Sequence, residues 1–188
     1  MRILTNPNLY RFTVVRNPWN RILSSYLDKH VKGGVIEHDR HWWNEIFFGR
    51  LPPGSIPGRS TDGLVEFGAF VEKCGQAIRR NRFDIDAHIA PQADMCALNT
   101  IKYDLVIPFE KIQEGVEMLA QNLRLRERNI PLPDIKSKLH ATGSEKEAAK
   151  YQTPQSIEEV ARSYYMDLSF PLNGVHFFPP EVAQQRDP

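Results

Sequence analysis

Phe12-Thr13-Val14-Val15-Arg16-Asn17-Pro18-Trp19-Asn20-Arg21-Ile22-Leu23-Ser24-Ser25-Tyr26 is the stretch on which the fold turns. With Tyr10 and Arg11, its first residues form an aromatic, β-branched run bounded upstream by Asn6-Pro7-Asn8, which predicts a largely buried strand over 10–15. Asn17 then offers a helix N-cap and Pro18 the residue favoured at the first helical position. Trp19, Ile22, Leu23, Tyr26 and Leu27 recur at helical spacing and make one apolar face. Gly33-Gly34 is the expected stop. A strand running straight into a capped helix is the unit of an α/β fold.

The same junction is the strongest candidate for chemistry. Arg16 falls at the carboxyl end of the strand, where open α/β sheets bind ligands. The helix beginning at Asn17 is expected to present free N–H groups and the positive end of its dipole there. Arg21 and Ser24 lie three residues apart on one side of that helix, away from the apolar stripe. A guanidinium fork and a hydroxyl at a strand end suit a phosphate or sulfate oxyanion. The alternative is a surface arginine paired with a carboxylate and a serine bonded to its own helix.

Outward from this unit, the pattern alternates. Leu64, Phe67, Phe70, Val71, Cys74 and Ile78 predict a helix. Tyr103-Asp104-Leu105-Val106-Ile107 predicts a second strand. Ile112, Val116, Leu119 and Leu123 predict a third helix running up to Pro131, and Thr153-Pro154 opens a fourth. Residues 37–63 form a Pro- and Gly-rich loop excursion carrying Trp42-Trp43 and Phe47-Phe48, and residues 134–150 read as a polar, mobile segment. The expected class is α/β with a parallel sheet flanked by helices.

Composition narrows the function classes. The chain has 188 residues, 41% hydrophobic and 25% charged, which fits a single domain over 1–188 and argues against global disorder. No apolar run approaches a bilayer span, and no signal-peptide core follows Met1. The net charge of +1 gives no pull toward nucleic acid. Residues 1–40 nevertheless hold seven Lys or Arg against three acids, consistent with a local anionic ligand or with uneven surface charge. Cys74 and Cys96 make no disulfide framework and leave one bridge or two thiols open. His38 and His41 form an H-x-x-H whose spacing could hold a metal, but two histidines are a weak ligand set; the solvated-loop reading is preferred and no metal is expected.

The first stretch resembles the 3′-phosphate-binding motif of sulfotransferases, F-x-x-V-R-[DN]-P-x-x-R-[LI]-x-S-x-Y. A second block, Asp86-Ala87-His88-Ile89-Ala90-Pro91-Gln92 with Cys96, Tyr103-Asp104-Leu105-Val106 and Phe109-Glu110-Lys111-Ile112, is similar to the H-W-x-P-Q-x-x-x-C … Y-D-x-V-x-x-[FY]-E segment of the carbohydrate (Golgi-type, family 2) sulfotransferases. A third, Tyr164-Tyr165-Met166-Asp167-Leu168-Ser169-Phe170, resembles their Y-x-x-D-x-x-x-F closing segment. Asn17 stands where Asp is commoner, Ile89 where Trp is usual, and Pro108 precedes Phe109.

The resemblance implies transfer of a sulfuryl group from 3′-phosphoadenosine 5′-phosphosulfate (PAPS) to a hydroxyl acceptor, a carbohydrate in the nearest group. It also implies a P-loop NTPase-like sheet. Arg16 and Ser24 would bind the donor's 3′-phosphate, with Arg21 as the motif's second arginine. In-line displacement at sulfur needs a base for the acceptor oxygen and positive charge for the leaving phosphate. His88 is the candidate base; the alternative is a structural histidine bonded to a backbone carbonyl. Glu110, after a strand, suggests a capping or dipole role.

The family's 5′-phosphosulfate loop, with its lysine, is not visible among the nine residues before Tyr10. The expectation is therefore an N-terminally short member lacking the first strand and that loop, with self-association if the sheet edge is unpaired. Two other readings stand beside the enzyme: a non-catalytic remnant that binds 3′-phosphoadenosine nucleotides, and an interaction module built on the aromatic loop. Localisation stays open between cytoplasm, for a bacterial relative, and a Golgi membrane, for a fragment of an animal-type one.

Overall fold

The computed structural model describes residues 6–31, 65–80, 85–132, 144–169 and 177. The excursion at 37–63, with its paired aromatics, His38 and His41, lies outside the described residues, as does Gly33-Gly34. Two strands, β1 (Phe12–Val15) and β2 (Leu105–Pro108), pair in parallel with Phe12 opposite Leu105 and Val15 opposite Pro108. Proline is tolerated at that last position because the ladder ends there. Just before the ladder, the Arg11 carbonyl accepts from the N–H of Asp104 at 2.8 Å, and the Asp104 carboxylate accepts from the N–H of Arg11 at 2.7 Å.

Helices follow at the four predicted places, and among the described residues three more form. They are α1 (Pro18–Tyr26), α2 (Phe67–Arg80), the single turn α3 (Gln92–Met95), α4 (Ile112–Asn122), α5 (Ser144–Tyr151), α6 (Pro154–Ser163) and the short α7 (Tyr165–Ser169). Asn17 caps α1 as expected, its side chain accepting from the N–H of Trp19 at 3.0 Å. Thr153 caps α6 in a reciprocal capping box with Ser156. Beyond Tyr26, α1 widens into one π-helical turn, Leu27–Val31.

Three expectations change. First, β1 is half buried rather than largely buried: Val15 is 1% exposed, whereas Phe12 and Val14 are 46% and 38% exposed. Alternate strand residues face opposite ways. Val15 joins Ala93, Leu98 and Val106 in a small cluster on one face of the sheet. On the other face, α4 covers Ile107 of β2 but leaves Phe12 and Val14 open. Among the described strands β1 has β2 as its one neighbour.

Second, α4 stops at Asn122, well before Pro131. The N–H of Leu125 reaches the Ala120 carbonyl at 2.9 Å and that of Arg124 reaches Gln121 at 3.0 Å, with Arg124 at φ 51°. This is a Schellman ending in which an arginine takes the left-handed position usually given to glycine.

Third, part of the segment expected to be mobile is α5. Ser144 and Ala148 are buried, and Tyr151 sets its ring 5.6 Å from that of Tyr26. Residues 134–143 of that segment lie outside the described residues.

The main core gathers α1, α2, α5 and α6 around Ile22, Leu23, Phe70, Val71 and Val160, each 2% exposed or less. All five residues of the predicted α1 stripe are buried in it. Burial on this scale contributes roughly 1.5–3 kcal/mol for each large side chain. The Trp19 indole donates to the Ile157 carbonyl at 3.1 Å, and the Tyr26 hydroxyl to that of Val65 at 2.7 Å, so the apolar face of α1 is also pinned by its polar tips. That pinning fixes where the opposite face of α1, with Arg21 and Ser24, must point. No helix among the described residues is long and apolar enough to cross a membrane.

Candidate functional site

A cavity of about 290 Å³ opens at the carboxyl end of β1. Arg16, Arg21, Ser24 and His88 all line it, so the four residues singled out from sequence meet at one place. Ser25, Gln92 and Phe109 complete the part of the wall that matters here.

Arg16 follows the last residue of β1 and projects over the Phe109 ring, its guanidinium carbon 5.0 Å from the ring centroid. One terminal nitrogen donates to the hydroxyl of Ser144 at 2.8 Å, at the N-terminus of α5. Two centres of positive charge, a guanidinium and a helix N-terminus, therefore lie side by side, an arrangement favourable to an anion.

The backbone around Arg16 is clamped. Its N–H donates to Gln92 Oε1 at 2.7 Å, and Gln92 Nε2 donates to the Arg16 carbonyl at 2.7 Å. The N–H of Asn17 donates to Glu110 Oε1 at 2.9 Å. The N–H groups of Arg16 and Asn17 are thus taken by side chains. Glu110 lies in the first turn of a short helix, Phe109–Lys111, makes no side-chain cap bond there, and its carboxylate satisfies the residue that caps α1.

Arg21 spans a neighbouring turn. It donates from Nη1 to the Ala90 carbonyl at 2.5 Å and from Nη2 to that of Ala87 at 2.6 Å. The Ser25 hydroxyl donates to the His88 carbonyl at 2.8 Å, and the buried Tyr164 hydroxyl to that of Ile89 at 2.6 Å. Residues 87–90 are thereby held against α1 from several sides. Ser24 is buried at the cavity wall.

His88 is half exposed, and its Nδ1 lies 2.7 Å from Asp86 Oδ1. The same carboxylate oxygen accepts from the His88 backbone N–H at 2.7 Å. A carboxylate partner places a proton on Nδ1, which leaves Nε2 to act as an acceptor in the neutral ring. One partner of the histidine ring is thus a carboxylate.

Beneath the cavity, Asp167 of α7 accepts from the N–H of Ala93 at 2.7 Å and of Gln92 at 3.0 Å. Burial raises its carboxyl above the ordinary aspartate range, opposed by those two N–H groups and by the charge of Arg21. Burial also pushes the Tyr164 hydroxyl and the Cys74 thiol well up, which keeps both neutral. Both cysteines are free thiols. Among the described residues no cluster of three His, Cys, Asp or Glu could hold a metal ion.

Sequence reading placed Arg16, Ser24, Arg21 and His88 but assigned no role to Gln92, Phe109, Ser144, Asp86 or Asp167. Gln92, Phe109, Asp86 and Asp167 stand inside the second and third resembling blocks, which was a usable signal. Ser144 sits in a polar run that offered none.

Comparison with protein families matches residues 1–170 to the sulfotransferase family. Neither the curated proteins nor the solved structures contain a match. The match takes in all three sequence blocks, whose residues Arg16, Gln92 and Asp167 the fold joins by hydrogen bonds, and the chain belongs to the sulfotransferase family.

Proposed function

We propose that this protein binds PAPS in a P-loop NTPase-like α/β fold and transfers its sulfuryl group to a carbohydrate hydroxyl. The observation that carries the reading is the meeting of Arg16 and Ser24 in one cavity at the carboxyl end of β1. Arg16 supplies the charge-assisted hydrogen bonds and Ser24 a hydroxyl for the 3′-phosphate. Arg21 acts mainly by fixing the 87–90 turn that forms the opposite wall. The cavity's volume lies near the low end for ligand sites, enough for a phosphate and its sugar.

His88 is the candidate base, with Asp86 orienting its ring. Its acceptor proton would go to Nε2 as the acceptor oxygen attacks sulfur and the 5′-phosphate leaves with the S–O bonding pair. One observation favours a second reading, binding of 3′-phosphoadenosine nucleotides without turnover. His88 shares its cavity with the 3′-phosphate ligands, whereas the sulfuryl group hangs from the other side of the ribose.

Calorimetry with 3′-phosphoadenosine 5′-phosphate (PAP), together with a radiolabelled sulfate-transfer assay, tests both readings. Arg16→Ala should weaken PAP binding by roughly 10- to 100-fold, the loss of a charged hydrogen-bond donor. Equal binding by wild type and variant overturns the site. Binding with no transfer to any sugar acceptor leaves the second reading.

A further inference from the structure

We infer that Gln92 and Asp167 are positioning residues that set the protein's discrimination for a 3′-phosphate; this rests on the reading of the Arg16 cavity just given. The argument starts from β1, a strand of four residues with a single described neighbour. Beyond so short a ladder, the backbone of the next residue is held by side-chain bonds and not by a third described strand. Arg16 is that next residue, and its backbone is gripped at both polar atoms by one neutral amide, at 2.7 Å each. The Gln92 side chain behaves as one further rung of the ladder, pairing as a strand residue would.

Gln92 is itself fixed. Its N–H and that of Ala93 both donate to the buried carboxyl of Asp167, so the first turn of α3 is tied to α7. A rigid path of hydrogen bonds runs from Asp167 through the α3 backbone and the Gln92 amide to Arg16. Neither Gln92 nor Asp167 needs to touch a ligand to act. An error of about 1 Å in the guanidinium's placement would be felt by a phosphate, which requires aligned donors, and much less by the rest of a nucleotide.

Amide chemistry is specific here. Glutamate at position 92 keeps the length and accepts from the Arg16 N–H, but it cannot donate to the Arg16 carbonyl. Leucine fills similar space and does neither.

The test compares binding of PAP and of adenosine 5′-phosphate to wild type, Gln92→Leu, Gln92→Glu and Asp167→Asn. Circular dichroism confirms the fold of each. The readout is the ratio of the two affinities, which a general loss of stability would not move. Gln92→Leu and Gln92→Glu are expected to lower the PAP preference by about tenfold, with adenosine 5′-phosphate binding within about twofold of wild type. Asp167→Asn should give a smaller loss in the same ratio. An unchanged ratio in the folded Gln92→Leu variant overturns the inference; if it does not fold, Gln92→Met, equally uncharged, decides, because the carboxylate of Gln92→Glu at the cavity wall would repel a 3′-phosphate by its charge alone. A wild type without preference for PAP instead removes the 3′-phosphate reading, and this inference with it.

Discussion

At position 167 a single carboxyl both costs and stabilises. Burial disfavours its charge, and two N–H groups at the start of α3 favour it; burial dominates and its titration is raised. The folded chain therefore holds this proton to higher pH than the unfolded chain does. Its contribution is complete below the ordinary value of 3.8 and is lost as pH rises through the raised folded value. We expect the stability of wild type minus that of Asp167→Asn to fall over that window and to level off above it, as followed by urea unfolding at a series of pH values. A flat difference would sink this account. Residues of this kind explain what sequence could and could not disclose. Arg16 and Ser24 were legible because helical spacing and a strand end place them. Gln92 and Asp167 act on partners 76 and 75 residues away, and spacing along a chain carries no such distance.

For the elements, legibility followed amphipathicity and caps. The α1 stripe and the Thr153 cap read directly from the sequence, because five apolar residues at helical spacing and a Thr-Pro start have few other uses. The end of α4 did not, since Arg124 in a left-handed conformation runs against its own preference. Nor did α5, whose Ser-Glu-Lys-Glu-Ala-Ala-Lys-Tyr has too few apolar residues to signal a buried face. The seat of α4 on the sheet rests on a missing side chain. A Cβ at Gly115 would come within 3.0 Å of Ile107 Cβ, 2.9 Å of its Cγ1 and closer still to its Cγ2. Alanine is a better helix former than glycine by about 1 kcal/mol. Here overpacking should win, and Gly115→Ala should destabilise by about 1–3 kcal/mol in urea unfolding. A gain in stability would show that α4 can slide off β2 at little cost.

At the scale of the molecule, the described residues pack around two unequal cores. The principal core sits among α1, α2, α5 and α6, a second and smaller cluster lies under β1, and the Phe12–Val14 face of β1 is open. The parallel α/β class was legible; the open face was not, because an apolar strand reads as buried whatever covers it. This layout makes aromatic residues unequal. Phe70, fully buried, should cost about 3–5 kcal/mol when replaced by alanine. Phe12, nearly half exposed, should cost well under half of that, and thermal unfolding of the two variants compares them directly. Similar losses would mean that the Phe12 face is covered in solution.

The widened turn that ends α1 at Leu27–Val31 has a consequence for how this family can vary. A π-helical turn holds one residue more than an α-helical turn, the trace that a single inserted codon leaves within a helix. Placed after Tyr26, it absorbs a change of chain length before that change reaches the helix ahead of it. A residue gained or lost beyond Tyr26 would then leave the turn-by-turn phase of Arg16, Arg21 and Ser24 unchanged.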